Sequence, residues 1–292
     1  MIASVTGVLL LSGCEINVSQ YLCVGRVNHF MCGRFGASFQ YRELKALWNL
    51  NGNLADFGPR YNLAPSQEVP VIVRHEGCNE VRPMRWGLVP SWAQDSSIGQ
   101  SMINARAETL LEKPSFKQLV ARRRCLVPAD GFYEWRREGN RKVPMWIHLK
   151  SCVPFAFAGL WDYWRDPAGD KELYSFTIIT TEANALLRPI HSRMPVIYDT
   201  DMGRQWLEES FGDQPMILAA VLRPWPSELM EAHEVSTLVN SPENDTAECI
   251  NLLHLARQPS RSCRSSSEHA TQARALHNAD VRGVVNRWVK RN

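Results

Sequence analysis

The hydrophobic positions of this chain follow the two-residue period of β-strands more often than the longer period of helices. Along residues 143–150, Val, Met, Ile and Leu occupy every second position, which is the pattern of a half-buried strand. Runs rich in aromatic and β-branched residues predict further strands at residues 68–74, 155–160, 176–180 and 195–198. Helical spacing is limited to short stretches around residues 44–48, 116–120 and 201–207. Many short strands with few short helices predict an α+β fold, a single compact domain of strongly bent, mostly antiparallel sheets.

Composition divides the chain into three parts. Residues 1–30 are an apolar start followed by unpatterned polar sequence, residues 31–256 form one continuous globular stretch, and residues 257–292 are rich in Ser, Arg, Gln and His. We expect the first part to be an incorrectly assigned start or a removed segment, and the last part to be a basic, flexible tail. Apolar residues between 276 and 289 fit a short basic amphipathic helix, and a solvated appendage without a fixed role is the simpler alternative.

The start of the chain has a second interpretation. Leu11-Ser-Gly-Cys14 follows an apolar run and resembles the cleavage box of a bacterial lipoprotein, in which Cys14 would carry a lipid. No Lys or Arg precedes that run, although an export signal normally requires one. Upstream sequence included by a wrong start is therefore favoured, and an exported lipoprotein is the alternative.

The formal net charge of +3 is unevenly distributed along the sequence. From Arg257 onward eight basic residues face two acidic ones, and residues 1–30 are neutral, so residues 31–256 carry about −3. The basic character of the whole chain therefore does not indicate nucleic-acid binding by its central part. Any such surface must be local.

The cysteines and the hydropathy profile exclude several classes of protein. No run of eighteen apolar residues occurs, so we expect no membrane-spanning helix. The eight cysteines lack the Cys-x-x-Cys or His-pair spacing of a zinc site, and their irregular scatter does not resemble a disulfide framework. We therefore expect no bound metal and a reducing, cytoplasmic compartment.

The candidate chemistry lies in the internal pair Met31-Cys32. If translation starts at Met31 and that residue is removed, Cys32 carries a free amine beside a free thiol. The amine, with a reference pKa of about 7.7–8.0, is partly unprotonated at neutral pH and can condense with an aldehyde to an imine. The thiolate can then close a five-membered thiazolidine ring. A buried, inert thiol is the alternative.

Seven short sequence words follow one another from Met31 onward. They are MCGRF at 31–35, RYNLAP at 60–65, RWGLVPSW at 85–92, NARAET at 104–109, RCLVPADGFYEW at 124–135, IHSRMP at 190–195 and VSTLVN at 235–240. Together they resemble the SOS response-associated peptidase family over about residues 31–254. The resemblance implies a protein that crosslinks to abasic sites in single-stranded DNA, with Cys32 as the mature N-terminus. The thirty residues before Met31 depart from the family pattern. If they are retained, the peptide bond before Cys32 leaves that residue without a free amine and abolishes the aminothiol.

The resemblance implies catalytic roles for Cys32, Asn104, Glu134 and His191. Glu134 lies among three aromatic residues, and desolvation there would raise its pKa and make it a proton donor near neutrality. An ion pair with a buried arginine such as Arg106 is the alternative. His191 titrates near neutral pH, and Asn104 offers both a donor and an acceptor for the amine or the opened sugar.

The same words contain most of the residues that we expect to contact DNA, and Thr180, at the end of the run FTIIT at 176–180, is added from outside them. Guanidinium groups bind phosphates through two hydrogen bonds, exposed aromatic rings stack on bases, and a threonine hydroxyl adds a weaker contact. The predicted DNA-binding residues are Arg34, Arg60, Arg85, Trp86, Arg106, Thr180 and Arg193. Because residues 31–256 are slightly acidic overall, we expect a narrow basic channel around Cys32.

The sequence therefore predicts a sensor-like enzyme that captures abasic sites through Cys32, with lyase and self-processing activity and without a metal or nucleotide cofactor. Its partner would be single-stranded DNA containing abasic sites, and we expect a cytoplasmic monomer that associates with the nucleoid when bound to DNA. Two alternatives remain. One is a cysteine peptidase that cleaves other peptides with Cys32 as nucleophile. The other, if the first thirty residues are retained, is a DNA-binding protein that does not crosslink, or a lipoprotein.

Overall fold

Strands dominate the computed structural model, which describes residues 32–51, 57–208 and 214–253. The strands are β1 Phe35–Ala37, β2 Arg60–Leu63, β3 Glu68–His75, β4 Cys78–Trp86, β5 Asn104–Arg106, β6 Arg124–Ala129, β7 Gly131–Glu138, β8 Arg141–Leu149, β9 Phe155–Arg165, β10 Glu172–Glu182, β11 Arg193–Pro195, β12 Ile197–Tyr198 and β13 Met230–Glu234. The α-helices are α1 Leu44–Trp48, α2 Pro114–Arg122, α3 Thr200–Glu208 and α4 Pro215–Val221. Short 3-10 helices cover Tyr41–Glu43, Ser96–Ser101, Ala107–Thr109, Ser227–Leu229, Thr237–Asn240 and Ala247–Ile250. The predictions for residues 1–30 and 257–292 lie outside the described residues.

The larger sheet closes on itself into a barrel. Its strand order is β11-β10-β4-β3-β6-β9-β12, and an additional antiparallel pairing between β10 and β9 joins the ends of a five-stranded ring. Most neighbours are antiparallel, whereas β10 runs parallel to β4 and β5. Closure pairs the backbone groups that an open sheet would leave at its edges. The predicted α+β fold with bent, mostly antiparallel sheets is confirmed.

The smaller sheet, in the order β13-β8-β7-β1-β2, packs one face on the barrel. Phe35 of β1 lies 5.1 Å from the Trp86 ring, and Phe132 of β7 lies 6.0 Å from the Phe157 ring. Tyr133, the next residue of β7, points to the opposite face and packs in a separate apolar cluster. Alternate side chains of β7 therefore pack in two different hydrophobic clusters, as the two-residue period of a strand predicts.

A glycine at the start of β7 permits the close packing of that second face. A Cβ atom on Gly131 would lie 2.2 Å from the Trp146 ring, a distance at which side chains clash. Trp146 also lies 4.7 Å from Tyr133, so its indole fills the space that the glycine leaves. The strand that carries the candidate acid, Glu134, is thus fixed against β8.

Most predicted elements are confirmed and several observed strands are longer, whereas the run at 195–198 is divided between β11 and β12. The alternating run at 143–150 corresponds to β8, the run at 155–160 extends through β9, and the run at 176–180 is the centre of β10. In the part of the chain that the structure describes, no helix is both long and apolar enough to cross a membrane. Within that part Cys32, Cys78, Cys125 and Cys249 are free thiols, whereas Cys152 is disulfide-bonded, which the irregular cysteine spacing did not predict.

Candidate active site

The pairing of β1 with β7 brings Cys32 next to Glu134. Phe35 lies opposite Phe132, and the Tyr133 amide donates to the carbonyl of Arg34 at 3.0 Å. Continuing this register, the residues before β1 run alongside Glu134. The main-chain nitrogen of Cys32 donates to Oε1 of Glu134 at 2.7 Å. A chain beginning at Cys32 would have its amine at this position.

Cys32 is buried in an unusual backbone conformation. Its exposed fraction is 1%, and its φ of +43° lies in the left-handed region that side chains with a Cβ disfavour. Burial, together with the neighbouring Glu134 carboxylate, raises the pKa of the Cys32 thiol well above its usual value. The thiol is therefore held in its neutral form, and a base must remove its proton before it can attack a carbon.

Glu134 has the raised pKa that its aromatic surroundings predict. Its exposed fraction is 4%, and burial raises its pKa to about 7, although hydrogen bonds from the Cys32 and Trp135 amides act in the opposite direction. Across residues 32–51, 57–208 and 214–253, no basic side chain forms an ion pair with Glu134. The alternative of an ion pair with Arg106 is therefore wrong. A carboxyl group with this pKa can both donate and accept a proton near neutral pH.

Glu134 and His191 line the same open cavity, which has a volume of about 490 Å³. His191 lies in the connection between β10 and β11, and its Nδ1 accepts a hydrogen bond from the Arg193 amide at 3.1 Å. An accepting Nδ1 requires the neutral tautomer with its proton on Nε2. The other lining residues are Trp135, Arg137, Lys142, Pro189, Ile190 and Asn240. The structure thus brings the predicted acid and the predicted histidine together across 57 positions of sequence.

Asn104 lies on a neighbouring strand and is not among the residues that line this cavity. It is half-buried at the start of β5, opposite Ile178 of β10. Two residues further on, Arg106 is exposed opposite Thr180, which also pairs with β11 near Arg193. These predicted residues therefore meet at one edge of the barrel, where β5, β10 and β11 adjoin. A catalytic role for Asn104 stays a prediction.

Known proteins with related sequences carry the same domain. The model of the SOS response associated peptidase (SRAP) family matches residues 31–242. The chain belongs to this family. A relative from Bacillus subtilis, the abasic site processing protein YoqW, is 46% identical over 75% of this chain and 99% of its own length. The abasic site processing protein HMCES of Xenopus tropicalis is 33% identical over 75% of this chain and 73% of its own length.

The SRAP fold is also present in solved structures. A crystal structure of a protein from Bacteroides thetaiotaomicron is similar with a TM-score of 0.69 and 29% sequence identity. The similarity covers 76% of this chain and 99% of that one. The SRAP match begins at Met31, so residues 1–30 lie outside it.

Several arginines of this SRAP domain that we expected to contact DNA bind other parts of the protein. Arg34 donates to Oδ1 of Asn62 at 2.8 Å and to the carbonyls of Val239 at 2.6 Å and Asn240 at 3.0 Å. Desolvation lowers the pKa of its guanidinium group from the usual value. Arg34 therefore joins the start of the domain to the 3-10 helix that ends at Asn240. DNA contact by Arg34 stays a prediction.

Arg60 and Arg193 are also held by carboxylates. Arg60 forms an ion pair with Asp245, while both Nη atoms of Arg193 reach the Glu108 carboxylate at 2.5 and 2.8 Å. Only 14% of the Arg193 side chain is exposed. Arg85 of β4 is half-buried. The structure does not test their contact with DNA.

Two of the predicted DNA contacts are wrong because the side chains are buried. Trp86 has no exposed surface, stacks on Phe176 and donates through Nε1 to the Ile103 carbonyl at 3.0 Å. Thr180 is equally buried, and its hydroxyl donates to the Ala105 carbonyl at 3.4 Å. Neither side chain can reach a base or a phosphate while the barrel is folded.

Besides Pro189 and Ile190, the sequence analysis missed four residues that line the cavity, namely Trp135, Arg137, Lys142 and Asn240. Trp135 is half-buried and donates through Nε1 to Oδ1 of Asn240 at 2.8 Å, so both side chains are fixed at the edge of the cavity. Both residues occur in the sequence words quoted above, and that position could have identified them as candidate site residues. Arg137 and Lys142 lie in the polar stretch that precedes the predicted strand at 143–150, and the sequence analysis gave them no role.

Proposed function

We propose that this protein captures abasic sites in single-stranded DNA by forming a thiazolidine through Cys32. The observation that carries the proposal is the 2.7 Å hydrogen bond between the Cys32 nitrogen and Glu134, beside a cavity that His191 also lines. The similarity to proteins named for abasic site processing supports the choice of substrate.

The proposed reaction begins with the sugar. An abasic deoxyribose is mainly a closed hemiacetal, and Glu134 and His191 would move the protons that open it to the aldehyde. The Cys32 amine, free once the preceding peptide bond is absent, attacks the aldehyde carbon. Loss of water, with a proton from Glu134, gives an imine.

The thiol acts last. Because burial keeps the Cys32 thiol neutral, it attacks only after a base takes its proton, and Glu134 is then the deprotonated neighbour. The sulfur bonds to the imine carbon, the nitrogen receives the proton, and a five-membered ring results. The imine stage also permits β-elimination of the 3′ phosphate, which would appear as a lyase side activity.

A chain that begins at Cys32, mixed with single-stranded DNA carrying one abasic site, tests this proposal. We expect a covalent complex that survives heating on a denaturing gel, and no complex with DNA carrying a tetrahydrofuran analogue, which has no aldehyde. The full-length chain, with its mass verified as intact, should form none. Equal crosslinking by the intact chain would refute a mechanism that needs a free amine.

A second activity, removal of residues 1–31 by the domain itself, is favoured by the backbone of Cys32. Its φ of +43° is costly only while a peptide bond precedes it, because a first residue has no φ. The thiol would attack the carbonyl carbon of Met31, the amine would leave with a proton from Glu134, and water would hydrolyse the thioester. Incubated full-length chain should shorten to Cys32, and Cys32→Ala should not.

A general cysteine peptidase remains the alternative to self-processing. It predicts that purified protein cleaves an unrelated peptide in trans, with loss of cleavage in Cys32→Ala. Release of residues 1–31 at a rate independent of protein concentration, with no cleavage of added peptides, favours the intramolecular reaction.

A further inference from the structure

Asn62 of β2 is a buried amide that joins distant parts of the chain. Its exposed fraction is 0%, and its Oδ1 accepts a hydrogen bond from Nη1 of Arg34 at 2.8 Å. Its Nδ2 donates to three main-chain carbonyls, those of Val239 at 3.2 Å, Ser241 at 2.9 Å and Asn244 at 2.8 Å. The amide has two hydrogens for these three acceptors, so at least one hydrogen is shared. Both polar atoms of this side chain are therefore engaged within the protein.

These hydrogen bonds converge on Asn240. Asn62 binds the carbonyls of the residues immediately before and after it, Val239 and Ser241. Arg34, which donates to Asn62, also donates through Nη2 to the carbonyl of Asn240 itself at 3.0 Å. The main chain of Asn240 is thus held on both sides and at its own carbonyl.

Asn240 is the point at which this network reaches the cavity. It lines the cavity together with Glu134 and Trp135, and its Oδ1 accepts a hydrogen bond from Nε1 of Trp135 at 2.8 Å. Asn62 itself is not among the lining residues. Any effect of Asn62 on a molecule in the cavity must therefore pass through the groups that it binds.

A second attachment holds the far end of the same loop. The Asp245 carboxylate accepts hydrogen bonds from the main-chain amides of Tyr61 and Asn62 and forms an ion pair with Arg60. These bonds do not use the Asn62 side chain. Its replacement should therefore leave residue 245 attached to β2, while residues 239–241 become less well fixed.

We propose that Asn62 is a positioning residue for the capture of abasic sites and that it acts through Asn240 and Trp135. The inference rests on the proposed function, since it takes the sugar to lie in the cavity beside Glu134. With Asn240 held, the Trp135 indole is fixed next to the acid and limits the positions that the sugar can adopt. Displacement of a reacting group by about 1 Å can cost about a hundredfold in rate, so loss of this support slows capture more than it weakens DNA binding.

The test compares capture rates in a chain that begins at Cys32, which contains every residue that the structure describes. Asn62→Ser shortens the side chain and removes the amide, and Asn240→Ala removes the acceptor for Trp135. Each should lower the crosslinking rate at saturating abasic DNA about 10–100-fold, with little change in the DNA concentration that gives the half-maximal rate. If Asn62 acts through Asn240, the double variant should be about as slow as the slower single variant, whereas the effects of independent sites would multiply.

Asn79→Ser is the matched control. Asn79 is also buried, donates through Nδ2 to the Trp48 carbonyl at 3.0 Å and accepts from Arg74 at 3.4 Å, but it does not line the cavity. This variant should lower the urea midpoint, as Asn62→Ser does, without slowing capture. If Asn62→Ser does not fold, Asn62→Asp takes its place, because it keeps the size of the side chain and the acceptor for Arg34 but lacks the amide hydrogens.

All rates are compared below the unfolding transition of every variant, so that loss of folded protein is not counted as slow capture. A normal rate in Asn62→Ser, multiplied effects in the double variant, or equal slowing by Asn79→Ser would overturn the inference. Failure of the wild-type chain to crosslink abasic DNA would instead overturn the proposed function, and the role of Asn62 with it.

Discussion

Replacing Glu134 by Gln in the full-length chain should change how stability depends on pH. In the folded protein burial holds the pKa of Glu134 at about 7, against an ordinary value of 4.5. Between these two values the folded state binds more protons than the unfolded state, so the free energy of unfolding falls as pH rises. A glutamine at this position cannot ionise and lacks this contribution.

The size of the effect follows from the two pKa values of Glu134. One pKa unit corresponds to about 1.4 kcal/mol, so ionisation of this side chain lowers the free energy of unfolding by about 3 kcal/mol between pH 4.5 and pH 8. The carbonyl oxygen of a glutamine can still accept the hydrogen bond from the Cys32 amide. Relative to wild type, Glu134→Gln should therefore gain about 3 kcal/mol of stability across this range.

Urea unfolding followed by tryptophan fluorescence at pH 4.5, 6 and 8 provides the measurement. The quantity to compare is the difference between variant and wild type at each pH, because other titrating groups then cancel. A difference that is the same at all three values would refute the assignment of a raised pKa to Glu134. In a chain beginning at Cys32, the protonated amine favours the charged carboxylate, so the change with pH should be smaller.

Three further predictions concern residues that support the site. Gly131→Ala brings a Cβ to 2.2 Å from Trp146 and should reduce the free energy of unfolding by about 1–3 kcal/mol; an unchanged urea midpoint would contradict this packing. Trp86→Phe removes a buried donor and should destabilise the fold by about 1–3 kcal/mol without weakening DNA binding, so a loss of affinity in the folded variant would argue that the indole reaches the DNA. Arg193→Gln loses both bonds to Glu108 and should lower stability by about 1–3 kcal/mol in calorimetry; no change would mean that this ion pair is worth little.

Local periodicity was sufficient to predict the strand that pairs with the one carrying the candidate acid. The alternation of residues 143–150 identified β8, which pairs with β7, the strand of Glu134. Burial raises the pKa of Glu134, which is the direction that its aromatic neighbours in the sequence predicted. Strand alternation depends on a few consecutive residues, so predicting it needed no knowledge of the tertiary structure.

Burial of individual side chains in the sequence words could not be predicted in the same way. Trp86 stands in a word that resembles the family and Thr180 ends a predicted strand, yet both side chains are buried once β4 and β10 pair in the barrel. Arg34 likewise has its acceptor at Val239, at the other end of the domain. Strand order and register across such distances are set by packing of the whole fold, which a short sequence pattern does not encode.

The hydrogen bonds around Cys32 also determine when the site can form during protein synthesis. The bond to Glu134 joins residues 102 positions apart, and the bond from Arg34 to Val239 spans 205 positions. Chains are synthesised at about 5–20 residues per second, so roughly 10–40 s separate the emergence of Arg34 and Val239 from the ribosome. During that interval the segment before Cys32 is open to the peptidases of the cell. Once the domain has folded, Cys32 is 1% exposed. The groups next to the peptide bond before Cys32 then belong to the domain itself.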